Sequence, residues 1–259
     1  MAYDYEWFKK TVYDLTKIDL SSYKQNQMKR RIDALIAKNN IKGYDAYVNA
    51  LKSDTKLFEE FVNYLTINVS EFYRNPDQWA NLDKEIIPEL IKRFGRRLKI
   101  WSAACSTGDE PYSLVMCLSQ HLALNEINID ATDIDKQVIA KAKTGLYNDK
   151  SVKGVPPELK NKYFTKVGTS YQISEDIKSR VRFKEHNLLR DKYPVMQHMI
   201  VCRNVLIYFT EEAKEEIFKK FCASLAPGGF LFIGSTEQII TYKEIGFVRR
   251  GSFFYQKPE

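Results

Sequence analysis

The run Ser102-Ala103-Ala104-Cys105-Ser106-Thr107-Gly108-Asp109-Glu110 follows an apolar stretch, Leu98 to Trp101, and leads into a helical pattern from Pro111 onward. A strand, a tight turn of small residues and a helix start together make a nucleotide-type pocket. Small side chains let a ligand reach the backbone, and the helix start aims unpaired N–H groups at it. Asp109 and Glu110 change the ligand, because they repel a pyrophosphate and attract a cation or hydroxyl groups. Gly108 is the one glycine of the turn, so the G-x-G-x-x-G dinucleotide pattern is absent. The turn therefore favours S-adenosylmethionine over NAD, with an ordinary strand-to-helix connection as the alternative.

Ligands of open α/β sheets sit beyond the carboxyl ends of the strands. A second strand pattern, Ile127 to Thr132, ends in Asp133-Ile134-Asp135, which places an acid 25 residues after Gly108, suited to ribose hydroxyls. Helix N-capping is the competing role, for Asp135 above all. Cys202-Arg203-Asn204-Val205-Leu206-Ile207-Tyr208-Phe209 puts Arg and Asn at a strand end ahead of an aromatic patch, although Val205, Leu206 and Ile207 also suit a core. Thr66 to Arg74 interleaves polar and apolar residues; it reads either as a helix end with its turn or as a cover that supplies hydrogen bonds to the pocket.

The elements that must position these residues fall into two regimes. Apolar spacings of three and four predict helices at Tyr5 to Thr16, Gln25 to Asn39, Tyr44 to Leu51 and Lys56 to Thr66. From Leu98 the pattern becomes short β-rich runs (Leu98 to Ser102, Ile127 to Thr132, Val181 to Phe183, Met199 to Cys202, Phe230 to Gly234) alternating with helices at Pro111 to Leu124, Lys136 to Thr144 and Glu211 to Ser224. Such alternation implies a parallel sheet covered on both faces, closed by a hairpin of Phe247 to Arg250 and Ser252 to Gln256 around Gly251. The expected organisation is a helical domain over 1–75, a linker helix over 76–97 and a doubly wound domain over 98–259. Gly145 to Arg180 is too long for a crossover loop and reads as an inserted β-subdomain with a hairpin at Gly168.

With 259 residues, 44% hydrophobic and 28% charged, the chain is of the globular kind. It has neither an apolar run near the roughly 18 residues of a membrane span nor a signal-peptide pattern at its start, so a cytoplasmic location is expected. Four cysteines without a C-x-x-C pair and three scattered histidines support neither disulfides nor a metal site. The net charge of +7 suggests an acidic partner. Residues 24–42 hold six cations against one acid, and Lys24, Arg31 and Lys38 recur every seven residues as an outward stripe beside Met28, Ile32, Leu35 and Ile36.

Taken together, T-I-N-V-S-E-F-Y-R at 66–74, W-S-A-A-C-S-T-G-D-E-P-Y-S at 101–113, A-T-D-I-D at 131–135, H-N-L-L at 186–189 and C-R-N-V-L-I-Y-F at 202–209 resemble the chemotaxis receptor methyltransferases of the CheR type, in the family's motif order from about residue 5 to 255. The resemblance implies a small all-α N-terminal domain before a class I (Rossmann-like) methyltransferase domain. It implies S-adenosylmethionine as cofactor, S-adenosylhomocysteine as product and no metal. It also implies methylation of glutamate side chains on the cytoplasmic helices of chemoreceptors in sensory adaptation, with neither nucleic acid nor membrane insertion. Carried over by motif, the cofactor residues are Asn68, Ser70, Arg74, Glu110, Asp133, Asn187, Leu188, Arg203 and Asn204, with Arg74 and Tyr208 nearest the transferred methyl. Cys105 and Asp109 depart from the commoner form of the turn without removing a matched contact. The short hairpin at Gly168 places the chain with members that do without a receptor peptide tether, and the basic stripe falls where the family meets receptor helices.

A glutamate acceptor needs no general base, since its reference pKa is about 4.3, which agrees with motifs that lack a catalytic His or Cys. A nucleic-acid methyltransferase would share the cofactor fold and suit the basic charge, but the D-P-P-Y-like and Pro-Cys patterns such enzymes carry are missing here. A non-catalytic module that senses the cofactor and docks on receptors is a reading of another class.

Overall fold

The computed structural model describes residues 3–259; Met1 and Ala2, the start of the expected helical domain, lie outside them. The chain divides into two compact units. The smaller takes the residues through Asn68 together with Ile207–Glu216, and the larger takes Val69–Leu206 and Ile217–Glu259.

Helices α1 (Tyr5–Thr16), α2 (Gln25–Lys38), α3 (Tyr44–Ser53) and α4 (Thr55–Thr66) build the smaller unit. Asp4 caps α1 by accepting from the Trp7 N–H, and Asp54 caps α4 by accepting from Lys56 and Leu57. Their apolar stripes meet in an aromatic core, with Phe8 edge-on to Phe61 at 6.2 Å and 4.8 Å from Tyr44. Phe209 stacks on Tyr23 at 4.6 Å, and the Tyr208 carbonyl accepts from the Lys24 N–H. The basic stripe is not wholly outward. Arg31 folds over the Tyr64 ring and donates to the Tyr64 carbonyl at 2.6 Å, and Lys38 pairs with Glu60. Arg31 thus helps dock α2 on α4, because its guanidinium can stack and donate at once.

The larger unit opens with α5 (Pro76–Asn81), a π-helical turn at Leu82–Ile86 and α6 (Ile87–Phe94). Pro88 follows the wide turn and has no N–H to close an α-type bond. The stretch read as a linker helix packs Trp79, Leu82, Ile86, Ile87 and Leu90 into the same core as the sheet. Next come β1 (Ile100–Ser102), α7 (Asp109–Leu118), β2 (Ile129–Asp133), α8 (Lys136–Thr144), β3 (Leu146–Asn148), α9 (Pro157–Tyr163), β4 (Phe164–Val167), β5 (Ser170–Ile173), α10 (Glu175–Lys178) and β6 (Val181–Glu185). The series ends with β7 (Gln197–Cys202), α11 (Glu211–Ser224), β8 (Leu225–Ile233), α12 (Tyr242–Ile245), β9 (Val248–Arg249) and β10 (Phe254–Gln256).

Seven strands form one sheet in the order β6-β2-β1-β7-β8-β10-β9, parallel from β6 through β8 and closed by the antiparallel β10 and β9. Ile100, Ile129, Met199 and Phe230 lie level across it and share one core with α7. On the other face Trp101 meets Phe221 of α11 and Tyr193 edge-on, so the sheet is covered on both sides. The expected insertion is a separate three-stranded antiparallel sheet, β3-β5-β4, one strand more than the hairpin legible in sequence. Gly168, at φ +58, takes the first central position of its two-residue turn, as a type II′ hairpin requires. Helix α7 stops at Leu118, six residues before the periodicity does: Ser119 bonds back to the Met116 carbonyl and His121 turns to Asp83 at 2.8 Å.

Leu82→Ala tests whether residues 76–97 belong to this core. Truncating a fully buried leucine costs about 2–5 kcal/mol, against about 0.5 kcal/mol for an exposed linker position. Denaturant unfolding is expected to give the larger loss.

Candidate active site

Three strand ends and one corner of the larger unit converge. The turn after β1 is tied down by its backbone: Cys105 N–H donates to the Thr132 carbonyl at 2.9 Å and Ser106 N–H to Asp133 Oδ2 at 2.8 Å. Tyr147 of the inserted sheet donates to the Thr107 carbonyl at 2.7 Å. Gly108 sits at φ +89, where an added Cβ would lie 2.9 Å from the Ala142 methyl and 3.0 Å from the Tyr112 ring. This close approach requires glycine. The acids that follow begin α7, where they suit the helix dipole. Asp109 is fully buried; burial pushes its carboxyl up, opposed by the Thr107 and Ser70 hydroxyls.

Glu110 is the acid aimed at the strand ends. Ser102 Oγ donates to its Oε1 at 2.9 Å, and Arg203 Nη1 stands 3.8 Å from its Oε2. Burial raises its pKa to about 7 in spite of Arg203. Asp133 is pushed up to about 6 by the same cause, held against it by the N–H groups of Asp135 and Ser106. The capping role goes to Asp135, whose Oδ1 accepts from Gln137 N–H at the start of α8.

Arg203 leaves β7 with its side chain 3% exposed. Its Nη2 donates to the Arg74 carbonyl at 2.6 Å, to Gln78 Oε1 at 2.8 Å and to Asn75 Oδ1 at 3.3 Å, and its plane lies over Phe232 at 4.7 Å. Nε has no protein partner. Tyr73 and Asn75 hold positive φ, so the corner at Arg74 is sharp, and the guanidinium fork fills it. Arg74 itself donates to the Val69 carbonyl at 3.2 Å and lies near enough to Glu110 to favour its ionised form. Gly154 lets the Phe72 carbonyl approach the turn between β3 and α9: a Cβ there would sit 2.5 Å from it.

The structure thus brings Arg74, Glu110, Arg203 and Asn204 to one end of the sheet, with Asp133 beside them as the last residue of β2. Asn187 and Leu188 follow β6: the Asn187 side chain accepts from Leu189 N–H, and the Leu188 carbonyl accepts from the Tyr193 hydroxyl. Asn68 and Tyr208 fall in the smaller unit, where Asn68 Nδ2 donates to Thr66 Oγ1 at 2.8 Å and Tyr208 ends a short 3₁₀ turn. Sequence reasoning missed Gln78, which accepts from the Arg203 guanidinium, and Glu237, which holds the backbone after β7. The strand-end rule applied after Ile233 would have reached Glu237, in Gly234-Ser235-Thr236-Glu237.

Residues 3–66 match the family profile described as CheR methyltransferase, all-alpha domain, and residues 68–249 that of CheR methyltransferase, SAM binding domain. The chain belongs to the CheR methyltransferase family. A chemotaxis protein methyltransferase of Listeria monocytogenes is 39% identical over 254 residues, 98% of this chain and 97% of that one. Chemotaxis protein methyltransferase 1 of Pseudomonas aeruginosa is 35% identical over 91% of this chain and 90% of its own. Chemotaxis protein methyltransferase 2 of Vibrio cholerae is 34% identical over 98% and 93% respectively. The α/β sheet above is the framework of the family's SAM-binding domain, and no helix among the described residues is long and apolar enough to cross a membrane.

The donor set suits S-adenosylmethionine. A buried carboxylate held high by desolvation, next to an acid with lone pairs left after its two backbone bonds, welcomes positive charge and hydroxyl groups rather than phosphates. For the cofactor-free protein the sign follows. A carboxyl whose folded pKa lies above its unfolded value stabilises the fold in acid, and that contribution is lost as pH climbs through the folded value. Glu110→Gln is therefore expected to gain stability over the wild type by about 1–3 kcal/mol as pH rises from about 5 to 8. Thermal melts of both proteins across that range check it; a pH-independent difference contradicts the raised carboxyl.

Proposed function

We propose that this protein transfers the methyl group of S-adenosylmethionine to glutamate side chains on the cytoplasmic helices of chemoreceptors, forming γ-methyl esters that tune sensory adaptation. The buried acids at adjacent strand ends, Glu110 and Asp133, carry the cofactor side of this reading; the full-length likeness to chemotaxis protein methyltransferases carries the substrate side. Ser70, Arg74, Glu110, Asp133, Asn187, Leu188, Arg203 and Asn204 in the larger unit would hold the cofactor. Asn68 and Tyr208 take their roles from the family's motifs.

When bound, the cofactor supplies an electrophilic methyl on a sulfonium; the acceptor oxygen gains that methyl and a neutral thioether leaves. The acceptor is ionised at neutral pH, so the chain has no proton to remove and its task is alignment, with reacting atoms brought to about 3–3.5 Å. Positive and negative charge disappear together in this step. A cation gripping the acceptor tightly would hold the ground state more than the transition state. Arg74 fits a milder part, since it bonds back to the Val69 carbonyl and orients neighbours through charge-assisted hydrogen bonds. Tyr208 would position the acceptor through a neutral hydroxyl. The short turn at Gly168 supports action without a peptide tether, and the protein would work in the cytoplasm where the receptor helices lie.

Incubation with methyl-labelled cofactor and separate pools of receptor-containing membranes and RNA tests the reading. Base-labile label on receptor is expected, and Tyr208→Phe should slow the labelling more than it weakens cofactor binding. Base-stable label on RNA, or no transfer at all, contradicts the proposal.

A further inference from the structure

Glu237 lies in the loop after β8, 5% exposed, and its carboxylate accepts four backbone N–H groups. Oε2 takes Asn204 N–H at 2.6 Å and Gly234 N–H at 2.9 Å; Oε1 takes Val205 N–H at 2.8 Å and Leu206 N–H at 2.6 Å. Three of the four are consecutive. Asn204 holds φ +60, and this left-handed residue turns the N–H groups of 204–206 to one side, making a backbone concavity that binds anions. The occupant here is the chain's own carboxylate. Gly234 completes the fit, since a Cβ there would stand 2.6 Å from Glu237 Oε2 and 2.8 Å from Asn204 N.

A non-glycine residue in the left-handed region is strained and persists when its surroundings over-determine it. Glu237 is what over-determines Asn204. The turn it holds carries Arg203 and Asn204 at its start and runs on in sequence toward Tyr208. Both oxygens face donors, so an ionised group satisfies all four bonds, whereas a protonated oxygen would confront an N–H. Burial pushes the Glu237 carboxyl up and the four N–H groups pull it down.

We infer that Glu237 is a positioning residue: its carboxylate locks the 204–206 turn in the conformation that presents Asn204 to the cofactor, without itself touching cofactor or substrate. The cofactor part of this inference rests on the proposed function. Glu237→Gln is nearly isosteric but turns an NH₂ toward one of the two donor pairs, Asn204 with Gly234 or Val205 with Leu206. Glu237→Asp keeps the charge with a shorter reach.

The test uses the purified full chain, with S-adenosylmethionine and S-adenosylhomocysteine binding measured by calorimetry and backbone amide NMR recorded without cofactor. Ile177→Ala, a truncation of a fully buried residue in α10, supplies a destabilised control that leaves the turn alone. Expected are upfield shifts of the 204, 205, 206 and 234 amide protons and at least about a tenfold weaker cofactor affinity in Glu237→Gln. Glu237→Asp should recover part of both, and Ile177→Ala should keep wild-type affinity. Should Glu237→Gln fail to fold, Glu237→Asp carries the same two readouts. Unmoved amide resonances, wild-type affinity in the variant, or an equal affinity loss in Ile177→Ala would overturn the inference. A wild type that binds no cofactor would instead sink the proposed function, while the amide shifts would still decide whether Glu237 fixes the turn.

Discussion

Arg203 enters the interior of the larger unit from the end of β7, and burying a guanidinium is costly unless it is paired and hydrogen-bonded; here Nη2 and Nη1 find partners while Nε has none in the protein. Its partners are the Arg74 carbonyl, Asn75 and Gln78 on one side and the Glu110 carboxylate on the other, with the Phe232 ring beneath. The cost of hiding the charge thus becomes a constraint on geometry. The corner of chain before α5 and the helix start after β1 must both stay where one fork can reach them. A buried ion pair is weak evidence for stability, and its contribution here is the fixed position of two segments more than 90 residues apart in the chain from their common clamp.

The electrostatics of the site are set first by burial and then by that arrangement. Arg203 lies 3.8 Å from Glu110 and spends its Nη2 on neutral acceptors, so it neutralises the acid incompletely. Burial pushes Glu110 to a pKa of about 7 with Arg203 only partly offsetting it, and burial likewise pushes Asp133 at the neighbouring strand end to about 6. Acids this far above their free values are poised to gain from a positively charged ligand, the charge type of a sulfonium with an ammonium. Glu237 restrains the other side of the same strand end, so Asn204 is set by one buried cation before it and one buried anion behind it. The proposed methyl transfer to a carboxylate needs no nucleophile or base from the protein, and the site invests in fixed backbone and fixed charge.

Local physics made much of this legible. Helices α1, α8 and α11 begin and end where periodicity and caps put them, and the strand ends, with Asp133, Arg203 and Asn204 at or just past them and Glu110 at the helix start that follows β1, follow from alternation and the strand-end rule. Where sequence reasoning fell short, the cause is tertiary. Helix α7 ends early because His121 has a partner in Asp83, and β3 is a strand because β5 lies beside it. Arg31, expected to face outward, is drawn onto Tyr64. Arg203 reads in sequence as a ligand contact, yet its acceptors stand 125 to 129 positions away, a separation that no spacing rule spans. Glu237 lay within reach of the strand-end rule, but its role was not legible, since its bonds go to backbone that looks alike in any sequence.

The most direct measurement is cofactor affinity and thermal stability of Arg203→Lys. Lysine keeps the charge but has a single ammonium, which cannot bond the Arg74 carbonyl and Gln78 while pairing with Glu110. Loss of both stability and cofactor affinity, the latter by about tenfold or more for about 1.4 kcal/mol of lost interaction, is the predicted result. A lysine variant that melts and binds like the wild type would show that charge alone suffices at this position, and that the fork does not organise the site.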